Sequence, residues 1–222
     1  MIRALIFDFD GLIVETETPA LQSWQEIFQE FGQELTPERW DDNVGRGERI
    51  DIVGLLEQLS GRSMDAEALT ARRRARHVKM VEAQPILPGV LQCIADAHTM
   101  GFRLAVASSS SRQWVAGHLD RLGLIRHFDA VRCRDDADVG VGKPDPAVYL
   151  AAMRALGVAP NQTIAFEDSP RGVQAARTAG IFTVAIPNDV TRRMGDAGAD
   201  LTLNSMADMT LAEIVRVTEA QG

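Results

Sequence analysis

Short apolar runs alternating with helix-period segments constrain this chain more than any other feature. Ala4-Leu5-Ile6-Phe7, within residues 3–7, is the first run. Others fall at residues 102–107, 128–131, 163–166 and 181–186, with a weaker one at 201–203. Near-continuous apolar strands of this length suit a parallel sheet covered on both faces. The segments between them repeat with helical period. Val115, Leu119 and Leu122 make one stripe; Val148, Tyr149, Ala152, Met153 and Leu156 make another; Leu211, Ile214 and Val215 make a third. Gly101, Gly123, Gly157 and Gly180 stand where helices should stop. Asp145-Pro146 and Ser169-Pro170 read as an N-cap followed by a first-turn proline. The alternation predicts a doubly wound parallel α/β sheet.

Residues 16–84 break that rhythm. They follow the first strand directly, contain no convincing strand, and read as helices over roughly residues 19–31, 49–59 and 65–82. The predicted organisation is therefore an α/β core from residues 1–15 and 85–222, interrupted by an all-α domain at 16–84. Within the insertion, Ala68, Ala71, Ala75 and Val78 suggest a buried stripe. That would leave the basic run Arg72-Arg73-Arg74-Ala75-Arg76-His77-Val78-Lys79 as a solvated face. Trp24 and Trp40 fit either a core or a ligand-facing surface.

Charge narrows the partners. With 23 Lys+Arg against 31 Asp+Glu, the net charge of -8 would repel nucleic acid and anionic membranes. No apolar run approaches the roughly 20 residues of a membrane span. Residues 1–8 read straight into a strand, with no signal peptide. Cys93 and Cys133 are too few for a disulfide framework. The expectation is a cytoplasmic protein, monomeric because no heptad seam stands out.

The functional signal lies where polar residues fall relative to the strands. In open α/β sheets, ligands bind at the carboxyl ends of strands. There the chain places Asp8-Phe9-Asp10-Gly11, Ser108-Ser109-Ser110, Gly142-Lys143-Pro144 and Glu167-Asp168-Ser169. Each set alone fits a cap or turn; four in order call for another reason. Two like charges about 4 Å apart cost about 4 kcal/mol at an effective dielectric near 20. A small hard cation relieves that cost, and oxygen-only ligands suit Mg²⁺. A lysine and a hydroxyl beside such an ion suit a phosphoryl group, and a carboxylate can attack phosphorus as nucleophile. Gly140 and Gly142 match no nucleotide-binding loop and instead let the loop bring Lys143 inward.

These four motifs, with Asp8-Phe9-Asp10-Gly11-Leu12-Ile13-Val14-Glu15-Thr16-Glu17 at their head and Phe166-Glu167-Asp168-Ser169-Pro170-x-Gly172 at their end, resemble the haloacid dehalogenase superfamily. The similarity is to the branch with a helical cap after the first motif, which holds sugar-phosphate phosphatases and β-phosphoglucomutase. The resemblance implies Asp8 as nucleophile and Asp10 as general acid/base, with Ser108 and Lys143 binding the phosphoryl group. It implies Mg²⁺ held by Asp8, Asp10 (through its carbonyl), Glu167 and Asp168, and Thr16 as a hinge at the start of the cap. Ser109, Arg46 and Arg49 are further substrate-binding candidates; a guanidinium offers a planar fork of donors to a sugar or second phosphate.

Haloacid dehalogenases proper lack the second aspartate of the first motif, so Asp10 argues against dehalogenation. In β-phosphoglucomutase the first cap helix carries a histidine twelve residues after the nucleophile; here that position is Ala20. The expected function is Mg²⁺-dependent hydrolysis of a small phosphorylated metabolite, of the sugar-phosphate kind, through an aspartyl-phosphate. The alternative is a phosphohexose mutase. A signalling receiver domain places similar groups at strand ends, but such modules span only about 120 residues, short of this chain.

Overall fold

A computed structural model describes residues 1–40, 51–195 and 197–221. In chain order its elements are β1 (Ala4–Phe7), α1 (Glu17–Glu30), α2 (Ile52–Ser60), α3 (Ala66–Glu82), α4 (Val90–Thr99), β2 (Arg103–Ser108), α5 (Arg112–Arg121), β3 (Ala130–Cys133), α6 (Ala147–Leu156), β4 (Thr163–Glu167), α7 (Pro170–Thr178), β5 (Phe182–Ala185), β6 (Leu201–Thr202) and α8 (Leu211–Gln221). They form two compact units. One joins Met1–Val14 to Pro85–Gly222; the other is Glu15–Gln84.

The first unit holds one six-stranded sheet in the order β3-β2-β1-β4-β5-β6. Every pair is parallel, with Phe7 opposite both Val106 and Phe166. The strands are apolar on both faces because helices cover both. Ala4, Ile6, Ala105, Ala107 and Ala165 pack with Val148, Tyr149, Ala152 and Met153 of α6 and with Ala175 and Ala176 of α7. Alanines on that face let the helix backbones approach closely. Side chains alternate across a strand, so Leu5 and Phe7 point the other way. Phe7 stacks on Phe166 at 5.1 Å and meets Phe128 edge-on at 5.8 Å. Strand order reverses at β1, with β2 on one side and β4 on the other, which makes their carboxyl ends the expected ligand crevice.

Two boundaries differ from the apolar pattern. The third strand runs from Ala130 to Cys133, two residues later than the run at 128–131 predicts. Phe128 is buried outside the strand as a plug against Phe7, and Arg132 is tolerated because β3 is the sheet edge. Ser169 caps α7 as expected, accepting from Gly172 N at 3.2 Å with Pro170 in the first turn. The sixth helix instead starts after Pro146, and Asp145 accepts from Ala147 N at 2.9 Å.

In the second unit, Asp51 and Asp65 cap α2 and α3 by accepting from Gly54 N and Ala68 N. The predicted stripe on α3 is displaced. Ala68, Ala71 and Ala75 are exposed, while Leu69 and Val81 are buried. The basic run is therefore not simply an outer face. Arg72 and Arg76 pair with Glu30, and Arg76 also approaches Glu26 at 3.7 Å. Arg73 donates to Ser23 Oγ at 3.1 Å and lies over the Trp24 ring at 5.8 Å. Long arginine stems can line an apolar face while their heads find partners, a contact that small-residue periodicity does not register. Trp24 and Trp40 are both buried. No helix among the described residues is long and apolar enough to cross a membrane.

Candidate active site

The end of β1 delivers the first carboxylate. Asp8 follows the last strand residue, and its N–H donates to Phe166 O at 2.9 Å, extending the pairing with β4. Gly11 then turns the chain at φ 76, and its N–H donates to Val14 O at 2.8 Å. A Cβ at Gly11 would lie 2.2 Å from Asp168 Oδ2 and 2.6 Å from Asn188 Nδ2. Both the left-handed backbone and the close approach require glycine.

Asp8, Glu167 and Asp168 are buried, and one oxygen from each lies within 4.8 Å of the others. Lys143 reaches into this group, with Nζ 2.6 Å from Asp8 Oδ1 and 2.5 Å from Glu167 Oε1. Its backbone is held at both ends: Ser109 Oγ accepts from Lys143 N at 2.9 Å, and Arg171 donates twice to Lys143 O at 2.7 and 3.2 Å. Tyr149, fully buried, donates its hydroxyl to Glu167 Oε1. Asn188 donates to Asp168 Oδ2 at 2.8 Å, while its own oxygen accepts from Val190 N and Thr191 N.

The electrostatics suit a divalent ion. Were all three buried carboxylates ionised, one ammonium would leave two negative charges uncompensated. Burial pushes the Asp8 carboxyl up to about 8; Lys143 pulls it down, while Glu167 and Asp10 add to the rise. Burial acts to lower the Lys143 ammonium, but Asp8 and Glu167 outweigh it and hold the group above its ordinary value. Lys143 thus stays charged. A hard cation among these oxygens would offset the repulsion and keep Asp8 ionised. The donor set is all oxygen, with no histidine or thiol in the cluster, which fits Mg²⁺ rather than Zn²⁺.

The Asp10 carboxylate is held differently from that of Asp8. The strand ends before it, so Asp8 and Asp10 do not share a strand face. The Asp10 carboxylate turns to hydroxyls and an indole: Ser110 Oγ donates at 2.6 Å, Trp114 Nε1 at 2.8 Å and Ser108 Oγ at 3.3 Å. Its side chain is absent from the three-carboxylate cluster. Repulsion from Asp8 together with three good donors explains the placement.

The core unit thus gathers Asp8, Asp10, Ser108, Ser109, Lys143, Glu167 and Asp168 at one sheet edge. Thr16 belongs to the other unit, where it is buried with its carbonyl beside His77 Nε2 at 3.2 Å. Arg46 and Arg49 lie outside the described residues. Sequence motifs placed Ser110 at the same strand end as Ser108 but gave no sign of Tyr149, Trp114, Arg171 and Asn188 as partners of the site. Tyr149 was visible only as part of a helix stripe. The others sit beyond the strand ends, where nothing in the spacing marks them.

The family model for haloacid dehalogenase-like hydrolases matches residues 5–186. The "Putative phosphatase YhcW" of Bacillus subtilis (strain 168) is 41% identical over 212 residues, 96% of each chain. The "Phosphorylated carbohydrates phosphatase" of Thermotoga maritima is 29% identical over 218 residues, covering 97% of this chain and 98% of that relative. A solved structure of a CbbY mutant from Rhodobacter sphaeroides in complex with xylulose-(1,5)bisphosphate is 26% identical. It has a TM-score of 0.74 and covers 96% of this chain and 98% of its own.

Proposed function

This chain belongs to the haloacid dehalogenase-like hydrolases, and from that premise we propose that it hydrolyses the phosphoric monoester of a small phosphorylated carbohydrate through a phosphoaspartate on Asp8. The observation that carries this reading is the placement of Asp8. It is a buried carboxylate with one oxygen tied to Lys143 and two more carboxylates within 4.8 Å. The class of substrate follows the names of its relatives, a phosphorylated carbohydrates phosphatase and a CbbY bound to a sugar bisphosphate.

Asp8, Glu167 and Asp168 would hold Mg²⁺, with the Asp10 carbonyl completing the set. Bound there, the ion supplies charge neutralisation for the phosphoryl oxygens. Lys143 adds a fixed ammonium that both orients Asp8 and offsets charge on the transferring group. Ser108, at the end of β2, offers a hydroxyl to the same group. Asp8 attacks phosphorus and the ester oxygen leaves. Asp10 donates a proton to that oxygen, then takes one from the water that cleaves the phosphoaspartate. The Glu15–Gln84 unit is assigned the selection of substrate as a cap, with Thr16 as hinge and Arg46 and Arg49 as contacts.

A mutase reading needs a group in that unit to manage a sugar hydroxyl proton. The position that carries histidine in β-phosphoglucomutase is Ala20, buried in α1, which favours hydrolysis. The deciding experiment measures phosphate release from a panel of sugar phosphates, with Mg²⁺ and with the metal chelated. Release should need Mg²⁺, and Asp8→Asn should abolish it while the protein still melts cooperatively. Full turnover by Asp8→Asn would overturn the nucleophile assignment. A folded wild-type chain inactive on every phosphorylated carbohydrate would overturn the substrate class.

A further inference from the structure

We propose that Trp114 is a positioning residue for Asp10, fixing the direction of its carboxylate through the indole N–H. Only the consequence for turnover rests on the phosphatase reading; the placement rests on geometry. Asp10 accepts three side-chain bonds: Trp114 Nε1 on Oδ1 at 2.8 Å, and Ser110 and Ser108 hydroxyls on Oδ2 at 2.6 and 3.3 Å. The donors are not equivalent. A serine hydroxyl rotates about its C–O bond and can redirect its proton. An indole N–H points where its ring points.

That ring is braced. Trp114 meets the edge of His118 one helical turn on, with centroids 4.2 Å apart and planes at 72°. His118 is buried and stacks on Phe9 at 6.1 Å and 25°. Phe9 and Asp10 are neighbours in the chain. The contacts close a circuit: Phe9 ring, His118 ring, Trp114 ring, Asp10 carboxylate, and back through one peptide. Helix α5, through Trp114 and His118, therefore acts as a jig that sets both sides of the Phe9–Asp10 peptide. Ser111 caps the helix by accepting from Trp114 N at 3.3 Å, fixing the backbone of the same residue. A tryptophan present only to fill space would need no such aim at a carboxylate. Catalytic groups lose rate steeply when misplaced by even about 1 Å.

The test uses the full chain. The sequence has 3 tryptophans, so a ¹H–¹⁵N spectrum resolves three indole resonances, assigned on the wild-type protein by triple-resonance methods. Asp10→Ala should move the Trp114 indole resonance upfield and leave those of Trp24 and Trp40 in place. Trp114→Phe keeps an aromatic ring but removes the N–H. With p-nitrophenyl phosphate and Mg²⁺ it should lower kcat by about tenfold, with KM within about twofold, at temperatures where it is fully folded. An unmoved Trp114 resonance in Asp10→Ala overturns the proposal, as does a wild-type kcat in Trp114→Phe. Should Trp114→Phe fail to fold, the resonance shift alone decides. A wild-type chain that releases no phosphate sinks the hydrolase reading instead, and the indole shift still judges the placement.

Discussion

A Cβ at Gly172 would lie 1.9 Å from Glu167 Oε2, so the first turn of α7 leaves that carboxylate no room for an alanine. Tyr149 and Lys143 hold the other oxygen of Glu167, and the group cannot simply rotate away without losing both. Helix propensity points the opposite way, since alanine in a helix is favoured over glycine by about 1 kcal/mol. The two effects separate in one experiment. Gly172→Ala should cut Mg²⁺-dependent phosphate release by about a hundredfold, the loss expected when a positioned group shifts by about 1 Å. Gly117→Ala on α5, where an added Cβ meets nothing within 4 Å, should retain activity and stabilise the fold by about 0.5–1 kcal/mol. Melting curves and steady-state assays on the two variants check both. Equal activity in Gly172→Ala and wild type would contradict the crowding around Glu167.

At the scale of elements, α5 is anchored to the edge strand β3 and the loop after it. Arg112 in its first turn forks onto Asp136 in the loop after β3, at 2.6 and 2.7 Å, and also donates to Val131 O. Burial pushes the Asp136 carboxyl up, but the Arg112 bonds and the Cys133 N–H outweigh it and hold the group below its ordinary 3.8. A depressed carboxyl stabilises the fold above its unfolded value and loses that contribution as pH falls through the folded one. Asp136→Asn should therefore destabilise by about 1 kcal/mol at neutral pH, a modest figure because Arg112 is half-exposed to screening solvent. The gap to wild type should close as the pH drops below about 4, which urea melts across pH would show. Such anchors were not legible in the sequence. Apolar runs located each described strand because burial on both faces leaves little else to read, and carboxylates at strand ends marked where the acidic cluster gathers. The offsets came where side chains act across space. Phe128 is apolar yet plugs rather than pairs, Arg73 faces inward while Ala71 and Ala75 face solvent, and Trp114 and Asn188 find Asp10 and Asp168 from positions that no spacing rule connects to them.

For the whole molecule, the insertion leaves and rejoins the sheet unit at one place. Val14 bridges Ile86 in antiparallel fashion, and Leu87 N donates to Ile13 O at 2.9 Å. The two ends of Glu15–Gln84 are thus already within a short turn of each other. The remaining unit carries all six strands and the helices on both faces of the sheet. Replacing Glu15–Gln84 with a linker of about four flexible residues should give a chain that still melts cooperatively, because closing a short loop costs less entropy than closing a long one and all six described strands remain. Asp8, Asp10, Lys143, Glu167 and Asp168 all stay in that chain, so binding of Mg²⁺, followed by titration calorimetry, should persist. Discrimination among phosphorylated carbohydrates should fall if the excised unit selects substrate. A truncated chain that keeps its metal affinity and its full ranking of substrates would move specificity to the strand-end loops of the sheet. One that collapses into a non-cooperative state would show that the sheet unit depends on the insertion for folding.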